Sequence, residues 1–477
     1  MIASTVHQPS LFYAAFEKQA SLIKDDLLDP IDVLLDDPEL IRLVVEAQAS
    51  AAPCASSRGR TRIAPDRVLR CCALKHIKGW SFRELERELR GSLVYRHFTH
   101  FDQDPVPDFS TFSRNLALLA SVTSPIHARV IAVARKERIA TGRKLRTDTT
   151  VVETDIHYPT DSTLLQDGIR VLTRAARRIA DECRGAPRIV DHRRAVKHRV
   201  LEIHRAAKSL AETGRQKLKD GYGKLLGLAR GVLRKVDQIG HALDAGQLAV
   251  VGNPLRVLGA EYELRHFAPL CRKVIAQTEA RVFGGDRHVS EKIVSLFEEH
   301  SEVIRKGKTH KPTEFGRLVR IDEVENGIVS SYAVEEGNPP DVRAWDSALD
   351  EHETHFGRPP RMATADRGYY SAENERAARA RGVERVVLPG RGKLSATRRG
   401  QQKERWFQRA LRWRAGVENR IATLKHRFEM ARAHYKGALG FTRYVGWCVI
   451  SQNLVSMARV QRRRELKRNA QEARNED

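Results

Sequence analysis

One stretch of the chain, residues 405–428, has helix-forming composition and carries three charged residues at helical spacing. They are Arg414, Glu418 and Lys425, in the order Arg-x3-Glu-x6-Lys. On a helix that turns 100° per residue, steps of four and seven place them within roughly 40° of one another. The stripe presents a carboxylate between two cations, which suits a site where Glu418 holds a metal ion and the cations bind phosphates. A surface helix with i,i+4 ion pairs is the alternative interpretation.

The charge balance of the chain indicates a polyanionic partner. Among its 477 residues, 84 Lys and Arg face 60 Asp and Glu, which gives a formal net charge of +24 and a pI of about 10.0. A protein this basic usually binds nucleic acid, and a membrane surface is the alternative. The sequence has no run of ~18 apolar residues, so no membrane-spanning helix is predicted. Residues 1–24 lack a signal-peptide pattern. Six cysteines without a Cys-x2-Cys pair fit a reducing cytoplasm better than a zinc site or disulfides.

Two consecutive helices are predicted near the N-terminus, at residues 65–78 and 82–90. Gly79 ends the first, and the capping box Ser81-x-x-Glu84 begins the second. A helix, a short glycine turn and a helix are compatible with a helix-turn-helix, and an ordinary helical hairpin with a solvated basic face is the alternative. Three basic residues of the second helix are the candidates for DNA contact: Arg83, Arg87 and Arg90.

A carboxylate lies inside the first predicted strand. Residues 145–152 are rich in β-branched side chains between Gly142 and Pro159, and Asp148 lies in their middle. An acid in a strand interior is unusual unless it is functional or the strand is at an edge. Nearby acids are alternatives for the same role: Glu153, Asp155 and Asp161.

A large helical insertion is predicted after this strand, at residues 164–289. Apolar residues recur at alternating steps of four and three in two segments, 196–210 and 225–239, which predicts two long helices packed on each other. Glycines that lie between the segments predict the turn: Gly214, Gly221 and Gly223. A rigid spacer is the favoured interpretation, and an arm that grips DNA or dimerises is the alternative.

Strands and helices alternate after the insertion. Strands 315–324 and 327–334 flank a hairpin signal at Glu325-Asn326. The elements that follow are helix 342–356, strand 361–365, helix 371–381, strand 383–388 and helix 405–428. Asp366 comes at the end of the fourth strand, where it either faces a ligand or caps the following turn.

The acids of the two strand positions and of the late helix are therefore expected to meet in one cleft. Three carboxylates around a cleft suit two divalent cations, which activate an attacking oxygen and stabilise the leaving one in phosphodiester chemistry. A cluster of Lys306, Lys308 and Lys311 is expected to contact DNA, and a solvated basic face is its alternative.

These motifs together resemble the DDE transposases of bacterial insertion sequences, in particular the groups whose third block is Tyr-x2-Arg-x3-Glu-x6-Lys. Asp148 in Leu-Arg-Thr-Asp-Thr-Thr-Val-Val-Glu matches the first block, and Asp366 in Ala-Asp-Arg-Gly-Tyr-Tyr matches the second. The third block is matched by Arg414, Glu418 and Lys425, with Leu411 at its Tyr position. The resemblance runs from about residue 60 to 455.

The resemblance implies an α/β fold with a ribonuclease H-like mixed-sheet catalytic core. It implies that Asp148, Asp366 and Glu418 bind two ions of Mg²⁺ (or Mn²⁺), and that Arg414 and Lys425 contact DNA phosphates. Water would then attack the phosphodiester at each element end, and the freed 3′-hydroxyl would attack target DNA. The implied partners are double-stranded DNA, both terminal inverted repeats and target, and a second copy of the chain that helps synapse the two ends.

The predicted domains are an all-helical N-terminal domain at 1–140, a catalytic core at 141–163 and 290–455, the helical insertion at 164–289, and a charged C-terminal tail at 456–477 that is expected to fray. The resemblance places such a protein in the bacterial cytoplasm, associated with the nucleoid. Two other functions remain compatible with the sequence. One is a catalytically inactive or domesticated DNA-binding relative, and the other is a nuclease that cuts without joining.

Overall fold

The structure is a computed structural model that describes residues 24–51, 62–209, 211–286, 289–305, 312–390, 392 and 394–476. The predicted DNA-contacting residues Lys306, Lys308 and Lys311 lie outside the described residues, as does Leu210 of the predicted insertion. The chain divides into two compact units, one of Met1–Asp155 with Ile304–Asp477 and one of Ile156–Val303. The predicted insertion falls within the second unit.

Helices alone precede the first strand in the described part of the chain. They are α1 (Leu28–Leu35), α2 (Pro38–Ser50), α3 (Pro65–Lys78), α4 (Phe82–Gly91), α5 (Leu93–Phe98), α6 (Phe109–Ala117) and α7 (Thr123–Lys136). Gly79 ends α3 in the left-handed conformation with φ of 70°. The Ser81 hydroxyl accepts the Glu84 N–H at 3.2 Å, and the Glu84 carboxylate accepts the Ser81 N–H at 2.7 Å. The predicted helix pair and its capping box are thus confirmed.

The first strand, β1 (Lys144–Thr154), leads into the second unit. The elements of that unit are α8 (Asp161–Glu182), β2 (Cys183–Arg184), α9 (Arg193–Ala206), α10 (Glu212–Asp244), β3 (Ala249–Val250) and α11 (Pro254–Val282). Most of the predicted apolar seams are buried: Val196, Val200 and Ile203 on α9, and Leu225, Ala229, Val232, Val236 and Ile239 on α10. Ala207, which was also predicted to be buried, follows the end of α9 and is exposed. The prediction of two long, packed helices is confirmed.

The predicted glycine turn between these two helices is wrong. Gly214, Gly221 and Gly223 all lie inside α10, which begins at Glu212. At Gly221 the reason is packing, because a Cβ there would lie 2.9 Å from Cγ1 of Ile203 on α9. The glycine lets the two helices approach closely rather than turning the chain.

The remaining elements alternate as the sequence predicts. They are β4 (Glu302–Ile304), β5 (Glu314–Glu323), β6 (Val329–Val334), α12 (Ala344–Phe356), β7 (Met362–Thr364), α13 (Ala372–Ala380), β8 (Arg385–Val387), α14 (Ala396–Lys403), α15 (Arg405–Arg427), β9 (Arg432–Ala433) and α16 (Gly437–Glu476). The hairpin between β5 and β6 turns at Asn326 and Gly327, whose φ values of 57° and 74° confirm the hairpin signal. The short strands β4 and β9 and helix α14 were not predicted.

The sheet of the first unit is mixed, so the fold is α/β. Its strands run in the order β4-β5-β1-β7-β8, with β6 paired to β5 and β9 paired to β1. β1, β7 and β8 are parallel, whereas β5 is antiparallel to both β1 and β6. One apolar core joins this sheet to the N-terminal helices and to α16. β1 is therefore a central strand, with neighbours on both sides.

The C-terminal tail, predicted to fray, is helical over residues 456–476, because α16 continues to Glu476. Residues 461–476 contain neither glycine nor proline and are rich in Arg, Glu, Lys and Ala, which favour helix even where the side chains are exposed.

Within the described ranges, no single helix is long and apolar enough to cross a membrane. One bent pair, Phe109–Ala120 with Thr123–Lys136, passes the same test by length and composition only.

Candidate active site

Asp148 lies in the middle of β1. Its backbone is opposite Ile321 of β5, its side chain is half-buried, and its carboxylate accepts the Thr149 N–H at 2.8 Å. The alternative acids each pair with an arginine near them: Glu153 and Asp155 with Arg432, and Asp161 with Arg281. These pairings give the alternative acids structural roles, and Asp148 stays the predicted site residue.

Asp366 follows β7 by two residues and lies at the same end of the sheet as Asp148. The parallel register pairs Arg146 with Thr364, so two residues further along, one strand carries Asp148 and the other leads to Asp366. Oδ1 of Asp366 accepts the Gly368 N–H at 2.6 Å and caps the turn Arg367–Tyr369. The alternative role of capping is thus present, but it uses only one of the two carboxylate oxygens.

A buried ionic network holds α15 against the sheet. Glu323, on β5 opposite Arg146 of β1, is 0% exposed. Arg146 binds its carboxylate with two nitrogens, Nε to Oε2 at 2.9 Å and Nη2 to Oε1 at 2.7 Å. Arg420 of α15 adds a third contact, Nε to Oε1 at 3.2 Å. One carboxylate shared by two arginines fixes α15 relative to β1.

Gly416 completes this docking of α15. The Arg146 guanidinium lies 4.7 Å from the centroid of the Trp413 ring and donates a hydrogen bond to the Trp413 carbonyl. A Cβ at Gly416 would fall inside contact distance of Arg146 Nη1. A glycine in the interior of a helix costs about 1 kcal/mol relative to alanine, so close approach explains its presence here.

Replacing Gly416 with alanine is expected to destabilise the protein by about 1–3 kcal/mol despite the gain in helix propensity, because the added methyl displaces Arg146 from Glu323 and Trp413. The matched control is Gly227→Ala on α10, where a Cβ meets nothing within 4 Å. That change is expected to stabilise by up to about 1 kcal/mol. Denaturant unfolding of both variants checks the difference, and equal effects would contradict the packing role of Gly416.

Glu418 lies on the flank of α15 rather than on the face that contacts the sheet. Its side chain is 65% exposed and pairs with Nη2 of Arg414 at 2.9 Å, while the adjacent Val417 is fully buried. Lys425 follows on the same stripe and is half-buried. In the described part of the chain, no group of three or more His, Cys, Asp or Glu side chains could hold a metal ion. The structure thus brings Asp148 and Asp366 to one end of the sheet without joining Glu418 to them.

A further acid, Asp341, lies beside Asp366. The Thr149 hydroxyl donates to its Oδ1 at 2.7 Å. A Cβ on Gly368 would lie 2.7 Å from Asp341 Oδ2 and 2.8 Å from Asp366 Oδ1. The sequence pattern did not single out Asp341, because an aspartate after Pro339-Pro340 at the start of a helical turn looks like an ordinary cap.

Asp148 and Asp366 supply carboxylate oxygens at this end of the sheet. Mg²⁺ prefers such ligands and usually takes only one or two of them from the protein, so this pair fits a hard divalent cation. The fully buried Tyr369 hydroxyl has the Thr147 side chain as its hydrogen-bonding neighbour. Its polar neighbour, the Thr147 hydroxyl, donates to Asp322 Oδ1 at 2.5 Å.

The pKa of the Tyr369 hydroxyl is affected by burial and by the acidic side chains near it. Burial raises its pKa well above the usual value, and the nearby charges of Asp341, Asp322 and Asp148 raise that pKa further. The phenol therefore stays protonated and is a hydrogen-bond donor among carboxylates.

The basic residues of α4 all lie on its exposed side. Arg83 stacks on the Phe109 ring with its guanidinium carbon 4.2 Å from the centroid. Arg87 pairs with Glu88 at 2.9 Å, and Arg90 pairs with Glu86 at 2.8 Å. Exposed pairs of this kind are weak, so these arginines are accessible to phosphates. Their contact with DNA stays a prediction.

Two family models match the chain, and both describe transposases. The model described as Transposase domain (DUF772) matches residues 16–118, and the model described as Transposase DDE domain matches residues 315–454. No curated protein and no solved structure matches. The second match begins at β5, so Asp148 lies outside it, while Asp366 and Glu418 lie inside.

These matches and the acids at one end of a mixed sheet define the class, an enzyme that acts on DNA. The chain belongs to the DDE transposases of insertion sequences. Enzymes of this family generally use divalent metal ions.

Proposed function

We propose that this transposase cleaves DNA at the ends of an insertion sequence and joins the freed 3′-hydroxyl ends to target DNA. The observation that carries the proposal is the placement of Asp148 and Asp366 at the same end of two adjacent parallel strands. Ligands of α/β sheets bind outside the carboxyl ends of parallel strands. Two carboxylates at that position suit phosphodiester chemistry that depends on divalent cations.

We infer that the sheet is the ribonuclease H-like core that the family resemblance implies. The order β6-β5-β1-β7-β8 supports this inference, because it joins an antiparallel meander of three strands to two further strands parallel to β1. The second unit enters the chain after β1, so it leaves the strand pairing of the core intact.

Asp148, Asp366 and Glu418 are the proposed holders of two divalent cations, Mg²⁺ or Mn²⁺. Such ions would lower the cost of forming the attacking oxygen and stabilise the leaving one. Backbone N–H groups already orient Asp148 and Asp366. The ion pair leaves the Glu418 carboxylate largely exposed and contributes at most about 1 kcal/mol, so releasing Glu418 from Arg414 costs little.

Arg414 and Lys425 are proposed to bind phosphates of the DNA near the cleaved bond. A phosphate that draws Arg414 away would release Glu418 for the site. The basic side of α4 is proposed to add contacts that position double-stranded DNA, both inverted repeat and target. Binding of this kind weakens as the salt concentration rises, since phosphate contacts release counterions. We expect at least a dimer when two ends are synapsed, and a cytoplasmic location with the nucleoid DNA.

The experiment that tests this function uses purified protein and a labelled duplex made from the DNA that flanks its own gene. With Mg²⁺ and a target plasmid, we expect nicks at a repeat boundary and joined products, neither of which forms with EDTA or with a scrambled duplex. Specific binding without nicking would favour the inactive DNA-binding relative. Nicks that are never joined would favour a nuclease.

A further inference from the structure

The C-terminal part of α16 is a strongly basic stretch outside the catalytic site. Between residues 459 and 475 the chain has seven Lys and Arg against two acids, Glu465 and Glu472. The stretch lies beyond residue 454, where the second family match ends. Every side chain from 462 to 475 is exposed, so burial in the core does not explain the composition of this part of the helix.

The charges of this stretch lie on opposite sides of the helix. At 100° per residue, four cations fall within about 80° of one another. These four residues are called the basic face of α16: Arg459, Arg463, Lys467 and Arg474. Glu465 and Glu472 lie about 160° and 180° round the helix from the middle of that face. At a rise of 1.5 Å per residue, the basic face extends over about 22 Å.

Contacts on the other side of α16 fix its orientation. Arg462 binds the Asp26 carboxylate at 2.5 Å. Arg464 donates to the carbonyl of Glu137 at 2.9 Å and to the carbonyl of Arg138 at 3.0 Å. Residues 462 and 464 flank the acidic side of the helix, so that side is held against the N-terminal helices. The basic face is consequently turned toward solvent.

The basic face begins beside α15. Gln452 lies two helical turns before Arg459 on the same side of α16, and its Nε2 donates to the Gly327 carbonyl at 2.9 Å. A Cβ on Gly327 would collide with the guanidinium of Arg420 on α15. The two helices therefore meet at Gly327. Arg420 lies about 140° round α15 from the stripe that carries Glu418, so the basic face lies away from that stripe.

No acid neutralises the basic face. In the ranges that the structure describes, none of its four side chains forms an ion pair, and Arg463 donates to the Arg459 carbonyl at 3.4 Å. Burial lowers the pKa of Arg459, and the positive charges of Arg427, Arg420 and Arg463 lower it further. Cations that repel one another in this way favour a bound anion.

The composition of the stretch favours DNA over a membrane as the source of that anion. Membrane-surface helices bury an apolar face opposite their cations. Leu466 is the one large apolar residue between 461 and 475, so this part of α16 has no such face. A DNA duplex carries one negative charge per about 1.7 Å of its axis, which suits a row of cations that is about 22 Å long.

We propose that the basic face of α16 binds the phosphate backbone of double-stranded DNA, away from the phosphodiester that reacts. Contacts of this kind position a duplex without reading its sequence. The inference rests on the proposed function for its DNA substrate, and it adds a contact surface beyond the segment that the family match covers.

The test compares full-length wild type with the double variant Arg463→Gln, Lys467→Gln. Fluorescence anisotropy follows binding to a labelled duplex of random sequence over a range of salt concentrations. Each lost phosphate contact removes about 0.9 from the slope of log K against log salt, so the slope should fall by about 2 and the affinity by about 10-fold or more at about 0.1 M salt. Unchanged affinity and slope would overturn the inference.

The matched control removes two exposed cations that each lie beside an acid. In Arg361→Gln, Arg468→Gln, the lost charges are those that lie 3.8 Å from Glu384 and 3.8 Å from Glu472. The slope and affinity should stay at the wild-type values. A loss as large as that of the first variant would show that net charge alone matters and would overturn the inference. Equal melting temperatures verify that both variants are folded.

Crosslinking gives a readout that depends on position. A photoreactive group is attached to Lys467→Cys on the basic face, or to Glu472→Cys on the opposite side of the same helix. The described native cysteines are buried, and wild type treated with the same reagent supplies the background. We expect several-fold more labelled duplex to be captured from residue 467 than from residue 472. Equal capture would overturn the inference.

Failure of this inference is distinguishable from failure of the proposed function. If the wild type nicks its end DNA with Mg²⁺ while Arg463→Gln, Lys467→Gln binds duplex as the wild type does, the basic face is wrong and the function stands. If the wild type never nicks but the variant loses duplex binding and the salt slope falls, the surface stands and the function is wrong.

Discussion

Replacing Asp366 with asparagine is expected to reduce Mg²⁺-dependent nicking by at least about 10³-fold, because a bound metal ion supplies several kcal/mol of transition-state stabilisation and each 1.36 kcal/mol is tenfold in rate. DNA binding is expected to persist. The asparagine side-chain oxygen can still accept the Gly368 N–H that now binds Oδ1 at 2.6 Å, so the turn after β7 is kept. Single-turnover nicking and fluorescence anisotropy on the same labelled duplex measure the two properties.

The matched control for this change is Asp350→Asn on α12. Asp350 is exposed and pairs with Arg381, so its loss should alter neither nicking nor binding. Nicking by Asp366→Asn at the wild-type rate would remove Asp366 from the site. A parallel loss of DNA binding and melting temperature would instead mean that its main role is to cap the turn.

Replacing Glu323 with alanine is expected to destabilise the first unit by about 3–5 kcal/mol. The change leaves the guanidinium of Arg146 buried and that of Arg420 largely buried without their shared carboxylate, and an uncompensated buried charge is costly. We also expect nicking to fall well below its wild-type rate at temperatures where the protein stays folded, because α15 carries Glu418 and loses its anchor to β1. Thermal unfolding followed by circular dichroism, with nicking assayed below the transition, measures both effects.

A surface ion pair provides the comparison for Glu323. Glu384 is 66% exposed and 3.8 Å from Arg361, so Glu384→Ala should cost no more than about 1 kcal/mol. Glu323→Gln keeps the shape of the side chain and one acceptor, and it should fall between the two alanine variants. If Glu323→Ala unfolds at the wild-type temperature, the network does not hold α15 on the sheet.

Many helices and strands of the fold could be predicted from local patterns in the sequence. The alternation of β-branched runs with helical segments predicted β1, β5 to β8 and α15, since side-chain periodicity differs between strands and helices. The capping box at Ser81 fixed the start of α4 to the residue. Asp366 was recognisable because it directly follows a strand of buried type, the position where α/β sheets place ligand-binding groups.

Contacts between distant segments could not be predicted in the same way. Arg146 and Glu323 are separated by 177 residues, and neither the pairing nor the need for Gly416 beside it follows from local spacing. Asp341 lies near Asp366 only because the turn before α12 packs against the loop after β7. Several glycines close together in sequence are typical of a turn, so a turn was predicted where α10 runs. The packing of Ile203 against Gly221 explains why a glycine lies inside the helix there.

The spacing of charged residues in α15 does not determine whether Glu418 faces the sheet or the solvent. The seven- and four-residue steps place it on one stripe with Arg414 and Lys425, as predicted. They do not say which way that stripe faces. Burial of Val417 and the contacts of Arg420 turn the opposite flank of α15 toward the sheet and leave Glu418 exposed. Its role as the third ligand stays a prediction.

The most direct test of the central claim is a transposition assay in bacterial cells. A resistance marker is placed between the two sequences that flank the gene, and the protein is supplied from a separate plasmid, with Asp366→Asn as the background. We predict that the wild type moves the marker to new sites with junctions at the repeat boundaries, and that the variant does not. A wild-type protein that is expressed and binds the end sequences, yet leaves the marker in place as the variant does, would contradict the account.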